Sequence, residues 1–432
     1  MEKLRNNKFV ISTLILIIGG FFTKILGMLI KIITTRLIGT DGIGLYMLLS
    51  PTFSLCIALA QLGFPSTISS LVAEEKSRNK KLILGLIPIS LLINFIIIII
   101  LIIIAPFISN VLLKEPRTYL GIIGIGMVIP FISISSIVRG YFFGKSRMLP
   151  HVITNILEDI VRIIILIIGI PYFMKFGIEY VIFFLVTSNI ASEICSILIL
   201  TALLPKSKLH IDDFKPNKSY LKNIFSISIP TTSSRLIGNI GSFLEPIIIT
   251  TVLLKVGYSN NFIIHEYGII TGYVIPLLLM PSFFTMAITQ ALVPVISKSY
   301  SNRDYIGTKS KLKQAITFSL LIGIPSTIII LLFPSQLLHF IYNTTEGVNY
   351  LKILAPIFVL SYIQSPLTAT LQSIGKAKCA MKGTIVGVTL RTIILFIFSF
   401  FKIGLWSLII ASSVSIIYVT IHHIIYLKKY LT

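Results

Sequence analysis

Two short stretches of this chain set a cation inside an apolar run, and they match each other. One reads Thr23-Lys24-Ile25-Leu26-Gly27 and the other Ser234-Arg235-Leu236-Ile237-Gly238: a hydroxyl residue, a cation, two aliphatics and a glycine. A charged side chain at bilayer depth costs about 2.5–3.5 kcal/mol on insertion scales, so it faces a cavity or a partner rather than lipid. The chemistry open to such groups is the neutralisation of an anion. Arg36, further along the run of Lys24 and Lys31, reads either as an interfacial residue or as a guanidinium at a cavity mouth, able to grip phosphate through a bidentate fork.

Other charged residues lie equally deep. Glu158, Asp159 and Arg162 share one apolar run, and Glu158 and Arg162 stand four apart, where they can neutralise each other on one helix face. Arg391 has no acid nearby in its own run and reads as the freer cation. Glu193 and Glu245 are deep carboxylates suited to a coupling ion. Glu245 precedes Pro246, and a proline frees a backbone carbonyl in the preceding turn. A carboxylate beside freed carbonyls suits Na⁺ or H⁺. A bridge from Glu245 to Arg235 would span nearly three turns and is not expected.

Several patterns carry less. Gly121, Gly124 and Gly126 precede no strand or G-K-[ST] and read as close helix contacts rather than a phosphate loop. Cys56, Cys195 and Cys379 show no C-x-x-C spacing and read as packing thiols, with no metal site. His422-His423 lacks acidic or cysteine partners and reads as interfacial. No Ser-His-Asp or paired-carboxylate arrangement assembles on one side of a membrane. The chain therefore does not read as an enzyme, and beyond Na⁺ or H⁺ coupling it calls for no cofactor.

The elements that must position these groups are membrane helices. Of 432 residues 55% are hydrophobic and 12% charged, with a mean hydropathy of +0.95, more apolar surface than a soluble fold can hide. Runs such as Ile96 to Ile104 do not alternate, which excludes a transmembrane barrel. The net charge of +22 is spread over short loops between apolar runs, so it points to membrane topology and not to nucleic acid. Met1 to Lys8 is basic and leads into an apolar run too long for a signal peptide, so it reads as a retained first helix. Twelve spans are predicted: 9–33, 43–71, 82–105, 119–143, 151–170, 178–204, 223–254, 267–297, 314–333, 350–374, 383–401 and 403–427. One alternate set of loops then holds 24 of the 37 cations and the other about six (Arg36, Lys114, Arg117, Lys175, Lys255 and Lys402). By the positive-inside rule both termini are cytoplasmic.

The longest polar interruption separates an N-terminal six-helix lobe, 1–204, from a C-terminal one, 223–432, with a cytoplasmic linker at 205–222. Echoes join the halves: Lys24 with Arg235, Gly144-Lys145 with Gly375-Lys376, and Arg162 with Arg391. Six helices is an even number, so the copies share one orientation, with the substrate site expected between them.

The order of several short motifs resembles the stage V sporulation protein B family of the multidrug/oligosaccharidyl-lipid/polysaccharide flippase superfamily. They are Lys24-Ile25-Leu26-Gly27, Thr35-Arg36-Leu37-Ile38-Gly39, Gly42-Ile43-Gly44-Leu45-Tyr46, Gly63-Phe64-Pro65, Leu71-Val72-Ala73-Glu74, Ser228-Ile229-Pro230, Ala291-Leu292-Val293-Pro294 and Leu371-Gln372 with Gly375-Lys376. The resemblance implies an all-α polytopic protein of two pseudo-symmetric lobes around a cleft, working by alternating access in the bacterial plasma membrane. It implies a lipid-linked anionic saccharide as substrate, peptidoglycan or polysaccharide in type, and a monomer associated with cell-wall synthesis enzymes. Lys24 matches the first-helix position that holds pyrophosphate in related lipid II flippases, and Arg235 is its repeat partner. Longer members carry two further C-terminal helices, associated with a lipid-tail groove, that this chain is expected to lack. The competing expectations are a multidrug and toxin extrusion cation antiporter, which needs acids where the first helix has lysines, and a non-transporting scaffold, which has no use for paired deep cations.

Overall fold

The computed structural model describes residues 2–74, 79–145, 147–204 and 218–431. Among them every regular element is helical: α1 Glu2–Gln61, α2 Phe64–Glu74, α3 Asn79–Phe107, α4 Tyr119–Gly144, α5 Leu149–Phe173, α6 Ile178–Ala202, α7 Lys218–Val256, α8 Asn260–Gly268, α9 Ile275–Leu279, α10 Ser282–Ser301, α11 Tyr305–Leu332, α12 Pro334–Tyr342, α13 Val348–Ser373, α14 Ala377–Phe398 and α15 Trp406–Leu431. Most of the predicted linker 205–222 and the loop cations Lys76 and Arg78 lie outside the described residues.

Among the described residues ten stretches are long and apolar enough to cross a membrane, and the first, Ile18–Val72, takes in most of two predicted spans. α5 is not among them, because Glu158, Asp159 and Arg162 sit at its centre. The apolar runs face outward where lipid would lie: on α3, Leu92, Phe95 and Ile103 are all well exposed. In lipid no hydrophobic drive holds helices together, so close contact must come from small residues and polar bonds.

Breaks fall where the backbone requires glycine. The predicted loop at 34–42 shrinks to one residue: α1 bends at Gly39, whose φ of 69° and ψ of −175° no helix contains. The predicted span 43–71 is broken at Leu62 and Gly63, both at positive φ, before the Pro65 turn starts α2. The predicted span 267–297 is divided as well. A π-helical segment, Ile269–Val274, separates α8 from α9, and α10 begins only at Ser282.

By internal contacts the chain divides into Met1–Pro246 and Ile247–Thr432. The dividing point lies within α7 rather than at the polar loop. The N-terminal part of α7 bonds to the first unit: Arg235 Nη2 donates to Gln61 Oε1 at 3.2 Å and Asn239 Nδ2 to the Ser54 carbonyl at 3.4 Å.

In the first unit α4 touches α1, α2, α3 and α6. Phe64, Ile68 and Val72 of α2 meet Ile137 and Phe142 of α4 and Leu200 of α6. The approach is close because α4 offers glycine. A Cβ at Gly140 would stand 2.9 Å from the Pro65 carbonyl, one at Gly144 2.7 Å from that of Ser69, and one at Gly121 2.3 Å from Leu49. Gly121 thus fits the close helix contact expected of it. In the second unit α13 holds the same central place, against α10, α11 and α15, with Leu367 and Leu371 meeting Leu312 and Leu427.

Gly144→Ala is expected to lower the melting temperature of the detergent-solubilised protein by several degrees, since overpacking costs about 1–3 kcal/mol. Gly20→Ala, whose Cβ would meet nothing within 4 Å, is the control and should stay closer to wild type.

Candidate functional site

The first unit holds a cavity of about 250 Å³ lined by Gly27, Ile30, Lys31 and Thr34 of α1 before its bend, Ile43, Tyr46, Met47 and Ser50 after it, Arg162 and Leu166 of α5, and Leu185 of α6. Helix geometry explains why Lys31 and Arg162 meet there. A Cβ at Gly19 would overlap Val152, so α1 and α5 are in contact at that level. Lys31 is twelve residues beyond Gly19 and Arg162 ten beyond Val152. At 1.5 Å per residue these are axial advances of roughly 18 and 15 Å, and two helices running the same way bring both cations to one depth. Gly169 lets α5 approach Phe184 of α6, which closes the wall near Leu185.

Behind this wall lies an ionic network that the sequence reading missed. Arg139 Nη2 of α4 donates to Glu158 Oε2 at 2.5 Å and to Ser196 Oγ of α6 at 2.9 Å, and stands 3.8 Å from Glu193 Oε2. The three charged side chains are 9–20% exposed. Glu158 therefore pairs with Arg139, not with Arg162 as its i, i+4 spacing suggested. A guanidinium one helix away outcompetes the neighbour because it meets two carboxylates at once. Arg162 Nε is buried and makes no hydrogen bond among the described residues, and the same holds for Asp159 Oδ2. Arg139 lies five residues from the end of α4, where a cation has the look of one that snorkels to the interface. Its company of Ser135, Ser136 and Gly140 in an apolar run was the available signal.

The remaining predicted residues are more scattered. Lys24 and Arg36 are exposed on α1, Arg235 is exposed on α7 with its bond to Gln61, and none of them lines this cavity. Glu193 and Glu245 are buried, 7% and 8% exposed. Arg391 is half-buried on α14 and is engaged there, so it is not the free cation that the lack of acids in its own helix suggested. His423 is fully buried, not interfacial: its ring lies between Thr368 Oγ1 at 3.4 Å and the Ala380 carbonyl at 3.3 Å. Consecutive helical residues point about 100° apart, so only His422 keeps a half-exposed position, its ring tilted against that of Tyr426. Among the described residues the cysteines are free, and no three His, Cys, Asp or Glu groups converge to hold a metal ion.

Residues 9–300 match the family model described as polysaccharide biosynthesis protein. The chain belongs to this family. A second model, MatE, matches residues 270–397. The chain is 33% identical to stage V sporulation protein B of Bacillus subtilis (strain 168), over 98% of its own length and 84% of the relative's. It is 23% identical to the lipid II flippase MurJ of the same organism, over 90% of this chain and 77% of that one. A structure of lipid II flippase MurJ in an inward closed conformation superposes with a TM-score of 0.73 at 16% identity, covering 95% of this chain and 87% of the other. The fold is that of the multidrug/oligosaccharidyl-lipid/polysaccharide superfamily, and the polysaccharide biosynthesis chain is a multi-pass membrane protein with a lipid II flippase among its relatives.

Arg139→Gln strands Glu158 and Glu193 without their cation and is expected to cost about 3–5 kcal/mol, the usual penalty for breaking a buried pair from one side. Adding Glu158→Gln should recover part of the loss. Thermal unfolding of the single and double variants in detergent checks both outcomes.

Proposed function

We propose that this chain is a flippase that moves an anionic lipid-linked saccharide, carried on undecaprenyl pyrophosphate, from the inner to the outer leaflet by alternating access. The observation that carries the reading is the shared cavity of Lys31 and Arg162. Two cations at one depth within a membrane unit suit a phosphate oxygen far better than a cationic cargo. Lys24, Arg36 and Arg235, all exposed, are the groups assigned to meet the pyrophosphate first, with Arg391 as the counterpart of Arg162. Outward movement of negative charge is favoured by an inside-negative potential by about 2.3 kcal/mol per charge per 100 mV. Glu245 and Glu193 are the groups assigned to Na⁺ or H⁺ coupling, since buried carboxylates gain most from a bound cation. The protein works as a monomer in the bacterial plasma membrane with both termini cytoplasmic, in contact with membrane lipids and cell-wall synthesis enzymes, and serves peptidoglycan, polysaccharide or spore-cortex assembly.

A second reading is export of cations in exchange for protons or Na⁺. The MatE match over 270–397 and the buried carboxylates Glu193 and Glu245 favour it. The lysines of α1 oppose it, because a cationic cargo would have to pass Lys24 and Lys31.

In proteoliposomes, Lys31→Ala and Arg162→Ala should each slow translocation of a defined lipid-linked precursor by about tenfold or more, as expected when roughly 1.4 kcal/mol of charge compensation is lost. Lys24→Ala and Arg235→Ala should slow it too. Wild-type rates in all four would overturn the flippase reading. Dye efflux abolished by Glu245→Gln would favour the antiporter instead.

A further inference from the structure

The second unit carries a pocket to which the transport reading above gives no task. It has a volume of about 520 Å³ and lies among helix ends, with Tyr258 just before α8, Phe262 and Glu266 within α8, Tyr350 in the first turn of α13, and Trp406 opening α15. Its back wall is the Lys402–Leu405 loop, where Lys402 and Gly404 both take positive φ. A Cβ at Gly404 would stand 3.6 Å from both the Phe262 ring and the Tyr258 hydroxyl, so the loop lies directly against the aromatic wall.

Four rings form this wall in two pairs. Tyr258 and Phe262 stack with centroids 5.1 Å apart and planes 15° from parallel. Tyr350 and Trp406 meet at 4.6 Å. Interfacial aromatic belts also gather Tyr and Trp near helix ends, with each polar tip turned to the headgroups. Here both tyrosine hydroxyls turn to protein instead. Tyr258 Oη donates to the Lys402 carbonyl at 2.5 Å, and Tyr350 Oη donates to Glu266 Oε2 at 2.5 Å. The first bond ties the ring to the loop, and the second fixes the orientation of the carboxylate. Glu266 Oε1 accepts no hydrogen bond among the described residues.

We infer that this pocket is a saccharide subsite: a sugar ring lays its C–H face on the aromatic wall and donates hydroxyl hydrogens to Glu266. Aromatic rings present a negative face to the polarised C–H bonds of a sugar, while a carboxylate is a strong acceptor for hydroxyls. A quaternary ammonium is the rival that rings plus an acid could attract. Lys402 on the same rim opposes it, since one acid balanced by one lysine suits a neutral, hydroxyl-rich ligand better than a cation. The inference rests on the flippase reading for its purpose. The loops that build the pocket, after α7 and after α14, belong to the cation-poor set predicted to be extracytoplasmic, so the subsite would receive the glycan on arrival at the outer leaflet.

Trp406 is the only tryptophan of the chain, so its emission reports on this pocket alone. The detergent-solubilised full chain is titrated with N-acetylglucosamine, chitobiose and maltose at millimolar concentrations, with choline chloride as the competing probe. A saturable change in Trp406 emission with at least one sugar is expected, stronger for a disaccharide, and weakened about tenfold by Glu266→Gln or Phe262→Ala. No saturable response to any sugar, a response to choline alone, or a sugar response unchanged in both variants would overturn the proposal. Because the readout needs no transport, its failure is distinct from failure of the proteoliposome assay. A sugar response in a protein that flips no lipid would leave this site standing and remove the flippase reading.

Discussion

A guanidinium surrounded by membrane helices has to be answered by carboxylates, and Arg139 shows what that demand does to a fold. Its partners come from α5 and α6, so the three helices are held in one register by charge as well as by van der Waals contact. In lipid, where helices gain little from hiding apolar surface, such bonds and the close approach at glycines supply the specificity that a hydrophobic core supplies in water. The wall that brings Lys31 beside Arg162 is a product of this arrangement. With Glu158 drawn to Arg139, Arg162 is left to the cavity.

The two units reach similar helix arrangements with different interiors. α4 and α13 each occupy the centre of a unit, yet the polar contacts in the middle of α13 are neutral: Gln364 Nε2 donates to Thr420 Oγ1 and to the Ile416 carbonyl, and His423 lies beside Thr368. In the first unit Arg139 of α4 adds ionic contacts. The charged cavity lies in the first unit and the aromatic pocket in the second.

Much of this was legible in the sequence, for identifiable reasons. Apolar runs of about twenty residues announce membrane helices regardless of tertiary context, and alternating loop charge preserves their order. Gly39 fell in the predicted loop 34–42, which shrinks to one residue, whereas Gly63 was read inside the span 43–71 that it breaks. Side-chain partners were harder. Glu158 and Arg162 satisfy a one-helix rule, and nothing in one helix tells that Arg139 of α4 would win. His423 looked interfacial because burial depends on which way a helix turns within its unit. The aromatic pocket was invisible for the same reason, since its rings come from three segments separated by about 50 to 90 residues of chain.

The sharing of one guanidinium by two carboxylates at Arg139 also shapes how such a sequence can drift. Removing the base strands two acids at once, whereas exchanging the whole cluster for neutral residues removes the debt from every side. Positions 139, 158 and 193 are therefore epistatic, and a lineage leaves this arrangement by coupled substitutions. The second unit, with Gln364, Thr420 and His423 in neutral bonds, illustrates an interior in which single steps carry no such penalty.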